Sequence, residues 1–236
     1  MGTRRSKQPL KVLDSKSSLF DNPDEQAFEA QYSEQTKIKF IEKVTIGEDT
    51  LDTWYYSPYP SEYAKVAHLF VCSICLKYMR KEKTLRNHTA ESRCKISGVP
   101  IYRDQHKGVE ICVNKIDGAQ NKLYCQNLSL FSKFFIDHKV LYFDIKDYEF
   151  YVLLGDRCML MGYFSRLKSC HTINNLSCIV VFPQFQQRGY GTFLIALSYE
   201  LSRREARICT PETPLSDMGR ILYLSYWRQQ ILAIFY

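Results

Sequence analysis

No apolar run in this chain approaches the roughly 18 residues that cross a bilayer, which argues against a membrane-spanning helix. The opening MGTRRSKQPLK is basic but has no apolar stretch behind it, so it does not read as a secretory signal. There is no internal repeat. Nine cysteines is an odd count, and without an export signal they are expected to be reduced, in the cytosol or nucleus. Paired cysteines here therefore point to metal rather than to disulfides.

What is present is an excess of positive charge. The net charge is +7, and residues 1–35, with five Lys/Arg against six Asp/Glu, contribute −1 of it. The remainder carries +8, which favours acidic partners such as nucleic acid, a phosphorylated cofactor or chromatin. Residues 1–35 are polar and lack regularly spaced apolar positions, and read as a disordered tail.

From residue 36 the pattern changes. KIKFIEKVTIG alternates as a strand does, and Gly47-Glu48-Asp49 turns it into a second strand that ends at Pro58-Tyr59-Pro60. Gly108–Val113 and Lys122–Tyr124 read as short strands around Asp117-Gly118. Residues 127–138 have helical spacing, with Leu128, Phe131, Phe134 and Phe135 on one face. Strands are expected at 141–143, 149–154 and 159–164, the last two joined at Gly155-Asp156-Arg157. A final apolar helix starts near Asp217. The sum is an α+β fold with a mostly antiparallel sheet.

Residues 66–96 hold Cys72-x2-Cys75-x12-His88-x5-Cys94. Thiolates and an imidazole at this spacing suit a tetrahedral zinc ion, and a closed four-ligand site is structural rather than catalytic. Phe70, Met79 and Leu85 stand where a ββα finger packs around its metal. Lys81, Lys83 and Arg86 on the finger's helix leave direct DNA contact open, although one finger reads only about three base pairs.

Residues 178–205 read as a strand, a tight turn and a long helix. Cys178–Phe182 is a continuous run of β-formers, as expected for a strand covered on both faces. Gln186-Gln187-Arg188-Gly189-Tyr190-Gly191 then opens a helix, which presents free backbone N–H groups beside an arginine and suits a phosphate or pyrophosphate. A dinucleotide fold would want a third glycine where Leu194 stands, and a P-loop would want Gly-Lys-Ser/Thr. What remains, Gln-x-x-Gly-x-Gly between strand and helix, is similar to the pyrophosphate turn of acetyl-CoA-dependent N-acetyltransferases.

With TWYYSPYP, CLKYM, YCQNLSLFSKFFIDHKVLYFD, GYFS, FPQFQQRGYGTFLIALSYELS and PETPLSD in order, residues 36–236 resemble a MYST-family histone acetyltransferase, most of all its MOF-type branch. The resemblance implies a GNAT-like acyltransferase core with a C2HC zinc finger, acting in the nucleus. The implied reaction is acetyl transfer from acetyl-CoA to a lysine of a histone tail, with H4 favoured. Nucleosomes and the scaffold subunits of an acetyltransferase complex are the implied partners, and no membrane is involved.

Residue by residue, the resemblance makes Glu212 the general base and Cys178 the second catalytic candidate, either a covalent acyl carrier or a small buried core residue, beside the thioester in both cases. It gives cofactor contacts to Ile179, Val180, Val181, Gln187, Arg188, Gly189, Tyr190, Gly191 and Thr192, with Ser216 and Ser225 near the cofactor, and it makes Lys139 a self-acetylated lysine. Three departures stand out. Gln187 replaces a basic residue, which implies weaker cofactor affinity. Five residues rather than three lie between the zinc His and the last Cys. The sequence shows no chromo-barrel and stops at Tyr236, short of the family's C-terminal lobe. These departures support an alternative, a catalytically weakened paralogue acting as a binding or regulatory module.

Overall fold

The computed structural model describes residues 39–91, 94–95, 97–106, 108–137, 139, 145–168 and 173–235. The tail expected at 1–35 and the strand expected at 141–143 lie outside the described residues.

Two sheets organise the chain. The first, of four strands, has the order β2-β1-β3-β4. Strand β1 (Lys43–Ile46) and β2 (Asp49–Asp52) form a hairpin whose turn takes a left-handed residue at Gly47, φ +62°. Strand β3 (His68–Val71) lies parallel to β1, and β4 (Tyr78–Met79) returns antiparallel to β3. A short helix, α1 (Ser61–Ala64), precedes β3, and α2 (Glu82–Glu91) follows β4. The β3-β4-α2 unit is the expected ββα finger. Its sheet continues through β1 and β2, so the finger is built into the domain.

The second sheet has five antiparallel strands in the order β10-β8-β7-β6-β5: β5 (Val99–His106), β6 (Val109–Asp117), β7 (Tyr148–Leu154), β8 (Leu160–Leu167) and β10 (Cys178–Val181). A single turn at Asp156–Cys158 joins β7 to β8, where Gly155 N–H donates to Met159 O at 2.8 Å, as the hairpin reading required. Strand β9 (Asn174–Leu176) pairs in parallel with β11 (Thr210–Pro211).

Adjacent side chains on a strand face opposite ways, and here both faces of the five-stranded sheet are covered. Tyr163 on β8 meets Ser132 of helix α3 (Lys122–Lys133) at 2.8 Å. Its neighbour Phe164 faces the other way and stacks on Tyr151 at 4.6 Å between centroids. Arg166, two residues on, reaches Glu205 just past helix α4 (Tyr190–Arg204) at 2.6 Å. Helix α5 (Asp217–Phe235) packs against α4, with Tyr199 stacked on Tyr226 at 5.5 Å. On the α3 face, Phe131 and Phe135 meet Phe182 at 4.8 and 5.8 Å, and Tyr59 stacks on Phe134. Leu128, Phe131, Phe134 and Phe135 are buried, as the helical spacing implied.

Several expectations fail. The second strand ends at Asp52 rather than at Pro58-Tyr59-Pro60, and the helix expected at 127–138 runs over Lys122–Lys133, so that Phe134 and Phe135 lie just past its end. Lys122–Tyr124 is the first turn of α3 rather than a strand. Three residues carry too little periodicity to separate helix from strand, and the length of the following apolar face decided it. Strand β10 is not covered on both sides: it is the last strand of its sheet, and only Val180 of its four residues is buried. An apolar run does not distinguish a central strand from an edge strand.

Candidate active site and metal centre

Strand β10 pairs with β8 alone, leaving its second side without a partner strand among the described residues. Gly162 of β8 makes the approach possible, since a Cβ there would lie 2.5 Å from Val180 O and 3.1 Å from Val181 Cα. Beyond the short turn Pro183–Phe185, Gln186 Nε2 donates to Val181 O at 2.9 Å and ties the loop back to the strand end. Gln187 and Gly189 both adopt left-handed φ, +60° and +91°. Gly189 is the residue before α4, and the first helical bond runs from Phe193 N–H to Gly189 O. The backbone N–H groups of Gly189, Tyr190, Gly191 and Thr192 thus open the helix, where the positive end of its dipole favours an anion.

Gln187, Arg188 and Gly189 are exposed, while the Tyr190 ring is buried. The Arg188 guanidinium lies 6.0 Å from the Phe185 ring centre. Gly191 has a packing role as well, because a Cβ there would meet Leu222 Cδ2 of α5 at 2.8 Å.

Cys178 faces α3. Lys139 Nζ lies 3.5 Å from Cys178 Sγ, and Tyr163 OH lies 3.9 Å from the same sulfur. Burial disfavours the Lys139 charge, but attraction to Cys178 and Tyr163 outweighs it and holds the ammonium above the ordinary lysine range. Burial, with Cys178 beside it, likewise raises the Tyr163 phenol. Tyr163 and Ser132 were missed as site residues by sequence reasoning. Their phrases, GYFS and LFSK, were visible, but nothing in one sequence shows a tyrosine and a serine 31 positions apart sharing a hydrogen bond.

Glu212 follows β11 directly. Its N–H donates to Leu176 O at 2.8 Å, which fixes its backbone beside Leu176, two residues before Cys178 in the chain, and its side chain is exposed. Ser216 Oγ accepts from Gly219 N–H at 3.1 Å and so caps α5. Ser225 is exposed on the same helix. The structure therefore gathers Cys178, Lys139 and the β10 backbone, brings the Glu212 backbone alongside through β9, and gives Ser216 a capping bond of its own.

The four finger ligands converge. The Cys72, Cys75 and Cys94 sulfurs and a His88 ring nitrogen all lie within 4.8 Å of one another. His88 Nε2 is 3.3 Å from both Cys75 Sγ and Cys94 Sγ. A tetrahedral zinc with bonds of about 2.3 Å to sulfur and 2.0 Å to nitrogen sets that separation at about 3.5 Å, so the donors match the ion in type, number and spacing. Leu76 takes φ +60° in the tight turn, with its N–H bonded to Cys72 O. Met79 and Leu85 are buried beside the ligands with Phe70 packed against them, as the finger reading required. Burial, with Cys94 and Cys72 alongside, pushes the Cys75 thiol up to about 12. A divalent cation supplies the charge that lets such thiols ionise. With all four positions taken by protein, the zinc has a structural role.

Comparison with known proteins now bears on these two sites. The family model described as the MOZ/SAS family matches residues 95–236, and that of the MYST family zinc finger domain matches residues 38–94. "Histone acetyltransferase MOF" of Drosophila melanogaster is 45% identical over 212 residues, covering 88% of this chain and 25% of the relative. "Putative MYST-like histone acetyltransferase 1" of Oryza sativa subsp. japonica is 42% identical over 210 residues, 86% of this chain and 45% of the relative. "Histone acetyltransferase KAT6B" of Homo sapiens is 45% identical over 199 residues, 82% of this chain and 9% of the relative. The chain thus spans less than half the length of each. A solved structure, "Putative acetyl transferase from Pyrococcus furiosus", matches 48% of this chain and 90% of its own at a TM-score of 0.33 and 14% identity, too slight a likeness to bear weight.

Proposed function

The chain belongs to the MOZ/SAS family, and from that premise we propose that it transfers the acetyl group of acetyl-CoA to a lysine side-chain amine of a histone tail, with H4 the favoured tail. The observation that carries this reading is the junction of β10 with α4. An edge strand with no partner on its second side among the described residues leads through a left-handed turn into the N-terminus of α4, with Cys178 at the strand's start and Glu212 bonded to β9, which precedes it in the chain.

In this reading the pyrophosphate of acetyl-CoA rests on the N–H groups of Gly189 to Thr192 with Arg188 beside them, and the backbone of Ile179–Val181 holds the pantetheine arm. A substrate lysine enters as ammonium, with a pKa of about 10.4, and must lose a proton before it attacks. Glu212 accepts that proton. The amine nitrogen bonds to the thioester carbon, the carbon–sulfur bond breaks, and coenzyme A leaves with the bonding pair. Cys178 lies beside the thioester, and Lys139 is itself acetylated. The finger's zinc holds β3, β4 and α2 together. Action on nucleosomes, in the nucleus, with scaffold subunits, belongs to the same proposal.

The test uses purified protein, labelled acetyl-CoA, and histone octamers or an H4 peptide. Transfer that falls by about 10²–10⁴ in Glu212→Gln supports the reading, on the usual scale of a lost general base. Gln187, exposed in the turn where a cation would reach the phosphates, favours a second reading as a binding module. Acetyl-CoA binding without transfer would select that reading.

A further inference from the structure

The turn that leads from β10 towards α4 is pinned to the core at two points. Phe182 and Phe185 are both buried, and Phe182 packs on Phe131 at 4.8 Å between ring centres. A segment held at two points can still rock about the line that joins them. Gln184, between the two phenylalanines, supplies a third point on the other sheet. Its Nε2 donates to Asp49 Oδ2 of β2 at 3.3 Å. Its Oε1 is buried and accepts no hydrogen bond, so the bond to Asp49 is what offsets the water this amide has given up. Charge fixes the amide's orientation, because turning it over would face its oxygen to a carboxylate.

The same hairpin rests on the metal centre. Strand β1 lies parallel to β3 with Ile46 opposite Val71, the residue before the ligand Cys72. In the turn that follows, a Cβ on Gly47 would meet Ser73 Cβ at 3.5 Å, an ordinary contact. Ser73 lies between the ligands Cys72 and Cys75. The ligand loop, the Gly47 turn, Asp49 and Gln184 therefore touch in succession, from the metal site to the coenzyme turn. The finger is the element with two states, since a small Cys/His finger holds its fold with the ion and loses it without.

We propose that Asp49 is a positioning residue through which the zinc-loaded finger holds the β10–α4 turn in its coenzyme-binding form, so that zinc and acetyl-CoA strengthen each other's binding. The proposal rests on the acetyl-transfer reading for the identity of the coenzyme. With zinc bound, the Cys72–Cys75 loop supports the Gly47 turn, and Asp49 keeps Gln184 and the N–H groups that follow it in place. Without zinc the loop is released and the third point is lost. Linkage makes the effect reciprocal: the factor that zinc adds to acetyl-CoA affinity is the factor that acetyl-CoA adds to zinc affinity.

The test measures the zinc affinity of the full chain by competition with a chromogenic chelator, with and without saturating acetyl-CoA. Calorimetry gives the acetyl-CoA affinity of the zinc-loaded chain. Acetyl-CoA should tighten zinc binding about threefold or more, the scale of one part-buried hydrogen bond. Asp49→Ala and Gln184→Ala should each abolish that gain and weaken acetyl-CoA binding about threefold or more, and the double variant should be no worse than either. Asp49→Asn keeps an oxygen for the Gln184 amide and should stay within about twofold of the wild type. Circular dichroism and zinc content confirm that the variants fold. Three results overturn the proposal: zinc affinity indifferent to bound acetyl-CoA, a wild-type gain retained in Asp49→Ala, or Asp49→Asn as impaired as Asp49→Ala. Absence of acetyl-CoA binding by the zinc-loaded wild type would refute the acetyl-transfer reading and this proposal with it, whereas binding without linkage refutes this proposal alone.

Discussion

Gly162→Ala tests whether the close approach of β10 to β8 shapes the candidate cofactor strand. An alanine Cβ at 162 would sit 2.5 Å from Val180 O, 3.1 Å from Val181 Cα and 3.4 Å from Val180 C. Ordinary carbon–oxygen contact begins near 3.3 Å, so β10 must retreat by about 0.8 Å. The obstructing atoms are backbone, so no side chain can rotate away. Overpacking of this kind costs about 1–3 kcal/mol. At about 2–4 °C per kcal/mol for a domain of this size, the melting temperature should drop by roughly 2–12 °C. The strand that moves is the one proposed to hold the pantetheine arm, so acetyl-CoA affinity should fall about tenfold, equivalent to about 1.4 kcal/mol. Gly155→Ala is the control. Its Cβ would meet Met161 Sδ at 2.7 Å, in a flexible thioether that can swing aside. Differential scanning fluorimetry and titration calorimetry with acetyl-CoA read both effects. A Gly162→Ala protein that melts and binds like the wild type, or a Gly155→Ala protein that suffers more, would refute the reasoning.

Other predictions follow from the charges and the metal. Elemental analysis should give one zinc per chain, and zinc uptake should release protons to a pH indicator, since burial pushes the Cys75 thiol up to about 12. Affinity should therefore fall with pH, and a metal-free chain with an intact finger fold would contradict the assignment. Lys139 is held protonated at pH 8, so acetic anhydride should label it far more slowly than the exposed Lys81 and Lys83; Cys178→Ala removes the first attraction that raises it and should speed labelling, read by mass spectrometry. Burial opposes the Glu149 charge, but hydrogen bonds from Lys115 and Tyr151 and the nearby Arg166 lower its carboxyl overall. A carboxyl lowered on folding adds stability above its unfolded value, near 4.5, and loses it as pH falls through the folded value. Glu149→Gln should cost about 2–4 kcal/mol at pH 7 and flatten the acid limb of a denaturation profile; an unchanged limb would count against the network.

The finger was legible because its chemistry is local. Four ligands at fixed spacing, with Phe70, Met79 and Leu85 at the packing positions, specify a metal before any tertiary contact is known. The aromatic face of α3 was legible for the same reason, since periodicity over a full helix reports its buried side. Lys122–Tyr124 was misread because three residues hold no usable period.

The glycine turn lies between these cases. Gln187, Arg188 and Gly189 announce a turn into a helix, and the left-handed φ at Gly189 fits that, whereas the one at Gln187 is shown only by the structure. The sequence by itself thus determined the metal ligands and the strand–turn–helix, because each is set by neighbours along the chain. Only the tertiary structure decided that β10 is an edge, that Gly162 lets it approach β8, and that Lys139, Tyr163 and Ser132 meet around Cys178 on one face of the sheet. Those are questions of strand order and facing. Pairing across the sheet fixes them, and an apolar pentad such as Cys178–Phe182 reads the same whether one strand or two lie beside it.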